Sequence, residues 1–167
     1  MFRTPRELFA LPWVKENHNL LLVNLIATFH SQVRSGPCRV YSNDMRVRVS
    51  ATGLYTYPDV IAVCGERQFL DDQRDTLLNP TLIVEVLSPS TKAYDRGLKF
   101  QLYQTMESFS DYLLVSSDCI HVDRFTRQPG GGWLLTSADH LADAIDLQSI
   151  GCRLSLADLY ESVDLEK

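Results

Sequence analysis

Asp59, Glu85 and Lys99 are the residues of this 167-residue chain whose types and spacing could support chemistry. Two short apolar runs, Val60 to Cys64 and Leu82 to Leu87, each carry one carboxylate: Asp59 after Pro58 at the mouth of the first, Glu85 inside the second. An unpaired ion in a strand buried on both faces costs several kcal/mol, of order ~3 even conservatively. The two carboxylates therefore need a common partner. A divalent cation meets that need, because hard cations prefer carboxylate and carbonyl oxygens; pairing with nearby arginines meets it equally. Further along, Asp95, Lys99 and Tyr103 recur every four residues, which puts them on one stripe of a helix. The simplest account of Asp95 and Lys99 is an exposed ion pair worth about 0.3–0.5 kcal/mol. Tyr103 reads as a hydrogen-bonding group of the same site or as an amphipathic residue at a core edge.

The elements that must position these side chains follow from hydrophobic pattern. From about Asn17, read as a cap, Leu21, Leu25, Ala27 and Phe29 predict a largely buried helix that Gly36-Pro37 ends. Arg39 to Val49 alternates, with Met45, Val47 and Val49 on one face and Asp44, Arg46 and Arg48 on the other, and predicts one strand with a charged face. Gly65 to Asn79 is polar and reads as a loop or a short surface helix. Leu82 to Leu87 is apolar on both faces apart from Glu85, the pattern of a central strand covered on both sides. The Ser88-Pro89-Ser90-Thr91 turn leads to a helix from about Tyr94 to Glu107 with Leu98, Leu102 and Met106 as its core stripe. Tyr112 to Val115 and Ile120 to Phe125 predict a hairpin, a further strand starts at Trp133, and short apolar segments at 144–147 and 152–156 precede a closing helical turn. Residues 1–16 are weakly specified, with a helical turn over Arg6 to Ala10 that Pro12 limits.

Composition bounds the function. Hydrophobic residues at 45% and charged residues at 22% fit one folded domain over 1–167, large enough for a real core. A net charge of −5 argues against a broad polyanion-binding surface and leaves room for a local one. Cys38, Cys64, Cys119 and Cys152 have no zinc spacing and read as reduced, buried thiols of a cytoplasmic protein. Met1 to Pro12 lacks the pattern of a secretion signal and Asn24 interrupts the apolar stretch from Leu20 to Phe29, so no membrane role is expected. The glycines at 130–132 lack a following helix and lysine and read as a hairpin loop. Ser88, Ser90 and Thr91 read as turn and capping residues, and the four histidines lack metal-ligand spacing.

The string Glu85-Val86-Leu87-Ser88-Pro89-Ser90-Thr91, followed by Asp95, Lys99 and Tyr103 and preceded by His18-Asn19, Asp44-Met45-Arg46-Val47 and Pro58-Asp59, resembles the Uma-two family of restriction endonuclease-like proteins in the PD-(D/E)XK nuclease superfamily. The resemblance implies an α/β (α+β) fold, a mixed β-sheet flanked by helices, here followed by a C-terminal β-meander. It also implies metal-dependent hydrolysis of DNA phosphodiesters. On that pattern Asp59, Glu85 and the Val86 carbonyl hold Mg²⁺ or Mn²⁺. Leu87 stands where the superfamily's lysine usually lies, so Lys99 on the following helix takes that role, with Lys92 as a weaker substitute. Asp44, Asp95 and Tyr103 would support the site, and Arg46 and Arg48 would contact DNA phosphates or form a surface ion-pair ladder. The region 1–16 is shorter than the family pattern. Unpaired sheet edges predict a two-fold homodimer. The alternative to an enzyme is a non-cleaving nuclease-fold module that binds nucleic acid or protein.

Overall fold

The computed structural model describes residues 15–165. The helical turn expected over Arg6 to Ala10, and all but the end of the short 1–16 region, lie outside the described residues. Helix α1 (Glu16–Val33) leads into β1 (Cys38–Tyr41), β2 (Arg46–Val49), β3 (Leu54–Thr56), β4 (Val60–Cys64), β5 (Thr76–Leu77) and β6 (Leu82–Leu87). Two short helices, α2 (Lys92–Arg96) and α3 (Leu98–Tyr103), cross to β7 (Asp111–Ser116). Then come β8 (Val122–Arg127), β9 (Trp133–Ala138), β10 (Ala144–Leu147), β11 (Cys152–Ser155) and α4 (Leu156–Leu159).

The main sheet has the order β1-β4-β6-β7-β8-β9, in which only the β6–β7 pair is parallel. Every residue of β6 is buried, as expected of a central strand apolar on both faces. On one side Leu21, Leu25 and Phe29 of α1 pack on Val60, Ala62, Val84 and Val86. On the other, Phe100, Tyr103, Phe109 and Tyr112 pack on Ile61, Ile83 and Leu87. The fold is thus a mixed sheet flanked by helices, with β7-β8-β9 as the expected meander. A small sheet of order β3-β2-β5 contributes Val47, Val49 and Leu77 to the second core.

Several expectations require correction. The stretch 39–49 is two strands in different sheets, because a turn closed by the Met45 N–H donating to the Ser42 carbonyl separates them. Helix α1 buries one face only, with Val23 and Ala27 exposed, and starts at Glu16. Asn17 does not cap it; its side-chain amide donates to the carbonyls of Ser117 at 3.2 Å and Asp164 at 2.7 Å. The single helix expected from Tyr94 to Glu107 is broken at Gly97, whose φ and ψ of −98° and −97° leave the helical region. That break turns α3 so that Phe100 and Tyr103, not Leu98 and Leu102, meet the sheet; Leu98 is 56% exposed. The segment 65–79 carries a short strand, β5. Cys38 and Cys64, paired across β1 and β4, form a disulfide, and Cys119 is exposed, so the reduced, buried reading holds for neither pair member nor for Cys119. Among the described residues, no helix is long and apolar enough to cross a membrane.

Candidate active site

Strands β4 and β6 run antiparallel with Val60 opposite Val84, so the next position of that register, just before the start of β4, sets Asp59 against Glu85. Side chains opposite one another share a face. That face is the one covered by α2 and α3, and the two carboxylates open into a cleft of about 710 Å³. The parallel β6–β7 pairing brings the carboxyl ends of both strands to the same edge, which adds Ser117 and Asp118 to the cleft wall.

Lys99 reaches back from the first turn of α3, and its ammonium lies 2.7 Å from Glu85 Oε1 and 3.3 Å from Asp95 Oδ1. The helical side chain leans toward the helix N-terminus, which is the direction of the cleft. Asp95 is buried, so the Asp95–Lys99 pair is not the exposed ion pair expected from spacing. Tyr103 Oη donates to Glu85 Oε1 at 3.4 Å and shares a 3.0 Å hydrogen bond with Thr56 Oγ1. Tyr112 Oη donates to the Asp95 carbonyl at 2.9 Å and fixes the end of α2. Asp59 Oδ2 accepts the Val86 N–H at 2.8 Å and lies 3.3 Å from His18 Nε2. His18 Nδ1 is buried and meets no partner among the described residues.

These contacts set the electrostatics. Burial pushes Glu85 up to about 8, with Asp59 and Asp95 adding to the effect against the pull of Lys99. Burial alone would lower Lys99, but Glu85 and Asp95 outweigh it and hold the ammonium above its ordinary value. The two directions agree: Glu85 and Asp95 share one ammonium, which keeps its proton while burial favours the protonated form of Glu85. A hydrogen bond to Asp59 raises His18, against the opposing effect of burial. Burial also raises Tyr103 and Tyr112, so both remain hydroxyl donors.

The donor chemistry fits a hard cation. Every contact recorded for Asp59 falls on Oδ2 and every one for Glu85 on Oε1, so among the described residues the other oxygen of each acid has no donor. Two such carboxylates leave several coordination positions to water, which suits Mg²⁺. Among the described residues, a group of three potential donors lies elsewhere, at exposed Asp139 and His140 and half-buried Asp143. There Asp143 Oδ2 accepts the backbone N–H groups of Asp139 and His140, the arrangement of a turn.

The structure brings Asp59, Glu85, Val86, Asp95 and Lys99 to the cleft, with Tyr103 beneath Glu85. Asp44, Arg46 and Arg48 do not line it. Arg46 Nε donates to Thr76 Oγ1 at 2.8 Å, and both guanidiniums lie over the Tyr55 ring, at 4.8 and 5.8 Å. Asp44 is exposed in the turn before β2, and Lys92 is exposed outside the cleft. The reading from sequence gave no partner to His18 and no role to Thr56, Tyr112, Ser117 or Asp164. For His18 the only sequence signal is the His18-Asn19 pair at the helix start, since its contact with Asp59 spans 41 residues.

This architecture defines a nuclease-type fold. It superposes on the "Crystal structure of a putative nuclease belonging to DUF820" from Anabaena variabilis with a TM-score of 0.71, over 90% of this chain and 83% of that one, at 18% identity. The chain itself belongs to the Uma2 family, described as "Putative restriction endonuclease", whose family model it matches over residues 6–157. Two similar relatives are uncharacterized proteins of Synechocystis sp.: slr1290, 35% identical over 94% of this chain and 81% of that protein, and sll1609, 32% identical over 78% and 73%.

Proposed function

We propose that the protein is a divalent-metal-dependent endonuclease that hydrolyses DNA phosphodiesters. The observation that carries this reading is the Lys99 ammonium 2.7 Å from Glu85 in a cleft that Asp59 also lines. A lysine on the crossover helix thereby reaches the carboxylates although Leu87 occupies the strand position. Asp59, Glu85 and the Val86 carbonyl would hold Mg²⁺ or Mn²⁺. When bound, the cation supplies neutralisation of charge on the phosphoryl oxygens and lowers the pKa of water. Lys99 orients the attacking water or holds the scissile phosphate as a compact charge. Asp95 steers the ammonium from behind, and Tyr103, with Thr56, fixes the Glu85 carboxylate. The Val86 N–H and His18 fix Asp59. Purified protein incubated with supercoiled plasmid and Mn²⁺ is expected to nick or linearise it. Asp59→Ala, Glu85→Ala and Lys99→Ala are each expected to lower the rate at least ~100-fold, within the range for loss of an acid–base or electrostatic group, with the fold intact by circular dichroism. Cleavage by Asp59→Ala at the wild-type rate would sink the assignment.

A second reading draws on the acidic side chains Asp118 and Asp164 in the cleft lining: a nuclease-fold module that binds nucleic acid or a protein partner without cleaving. DNA binding without turnover, unchanged in Glu85→Ala, favours that reading. In either case we infer a two-fold homodimer, supported by the edge strand β9, on which Leu134 and Leu135 are 52% and 50% exposed.

A further inference from the structure

Helix α2 has no apolar anchor. Of its five residues the structure buries Asp95 and no apolar side chain, and a helix of that length does not hold its own shape in water. Its placement nonetheless matters, because the Asp95 carboxylate stands 3.3 Å from the Lys99 ammonium that meets Glu85. One tie to the sheet is the Tyr112 hydroxyl, which donates to the Asp95 carbonyl. A second leaves from the next residue, where Arg96 Nη2 donates to Oδ2 of Asp123 on β8.

Asp123 is a rigid acceptor for that contact. It lies opposite Leu114 of β7 and Ser137 of β9, and Leu114 belongs to the second core, so its side chain stands on the face of the sheet that α2 and α3 cover. Only 4% of the residue is exposed. Oδ1 accepts from Ser137 Oγ at 2.5 Å and lies 2.8 Å from His121 Nε2, which leaves Oδ2 to Arg96. Burial opposes its ionisation, but the hydrogen bonds from Ser137, Arg96 and His121 together outweigh burial and hold the carboxyl below its usual range. Charge-assisted bonds of this kind are about twice as strong as neutral ones. A second buried aspartate lacks any link to the cleft. Asp111, at the start of β7, accepts from Arg124 Nε at 2.9 Å, from Thr126 Oγ1 at 3.0 Å and from the Ser149 hydroxyl. These partners lie on β8 and in the turn at 148–151, and none of them lines the cleft or adjoins a residue that does.

We propose that Asp123 is a positioning residue for Lys99: through Arg96 it fixes α2, and with α2 the Asp95 carboxylate that directs the Lys99 ammonium onto Glu85. The effect on cleavage rests on the nuclease reading, whereas the placement of Lys99 is measured without it. Wild-type protein and the variants Asp123→Asn, Arg96→Gln and Asp111→Asn are treated briefly with acetic anhydride, and acetylation of Lys99 is read by peptide mass spectrometry against the exposed Lys92 of the same chain. Losing the charge-assisted bond lets α2 open locally, so the ratio of Lys99 to Lys92 labelling is expected to rise roughly 10-fold or more in Asp123→Asn and Arg96→Gln. Asp111→Asn, which loses a charge as deeply buried, is expected to lower the unfolding midpoint in urea and to keep the ratio within about 2-fold of wild type. In Mn²⁺ cleavage of plasmid, Asp123→Asn is expected to lower kcat about 10- to 100-fold. Mn²⁺ binding, read by electron paramagnetic resonance, is not expected to weaken, because Asp59 and Glu85 are held by contacts of their own. A ratio unchanged in both Asp123→Asn and Arg96→Gln, or raised as much in Asp111→Asn, overturns the proposal. Wild-type protein that cleaves nothing while the ratio rises as expected removes the nuclease and keeps the placement, whereas wild-type cleavage that Asp123→Asn matches does the reverse.

Discussion

Glu85 has the most telling surroundings of any side chain in this protein: 4% exposed, in the middle of an apolar strand, and raised to about 8 chiefly by burial. Its ordinary value is 4.5, so between about 4.5 and 8 the folded state keeps a proton that the unfolded chain has lost. Stability of the metal-free protein must then fall as pH rises through that window, because the folded state binds more protons. Glu85→Gln, neutral throughout, lacks this slope. Urea unfolding at about pH 5 and about pH 8 is expected to show the variant gaining on wild type at the higher pH, and a gap that stays constant refutes the buried-acid reading. Glu85 was legible in the sequence because a lone charge interrupts a run apolar on both faces. The burial of Asp95 was not, because i, i+4 spacing with Lys99 describes an exposed pair and a buried one equally well. His18 was legible only as part of the His18-Asn19 pair of the family pattern, and its partner was not: α1 packs on the opposite side of the sheet, and its first turn reaches Asp59 across 41 residues of sequence.

At the level of elements, the break between α2 and α3 decides where Lys99 points. The spacing of Leu98, Leu102 and Met106 fits one continuous helix, and Gly97 alone is tolerated in helices often enough that the pattern hid the break. A Cβ at Gly97 would stand 3.2 Å from the Ala93 carbonyl, which belongs to the backbone of α2 and has little room to yield. Gly97→Ala is therefore expected to cost about 1–2 kcal/mol in chemical denaturation and to lower cleavage more than Leu98→Ala, which alters an exposed side chain. Equal effects of the two on cleavage would show that the break does not position Lys99. Strand β6 and the β7–β8 hairpin were legible because their residues decide their burial locally. The split of 39–49 was not, since its alternation continues unbroken across a turn that only the pairing partners reveal.

For the whole molecule, two features invite measurement. The Cys38–Cys64 disulfide ties the edge strand β1 to β4 across a sequence separation of 26 residues. Closing a loop of that length stabilises by about 3 kcal/mol through the unfolded chain, so reduction by dithiothreitol is expected to lower the unfolding midpoint in urea, and Cys38→Ser to abolish the difference. The opposite edge, β9, presents unpaired backbone and two half-exposed leucines, and sedimentation at micromolar concentration is expected to give the mass of a dimer that Leu135→Lys dissociates. A strictly monomeric wild-type profile contradicts it. The disulfide was illegible because nothing in cysteine spacing states which strands lie side by side. Asn17 joins the beginning of α1 to Ser117 and to Asp164, so the cleft is enclosed by residues drawn from both ends of the described chain. No sub-fragment contains the cleft. Its appearance during folding must coincide with completion of the entire tertiary structure, and an occupant of the cleft acts as a fastener on the global unfolding reaction instead of on any local opening.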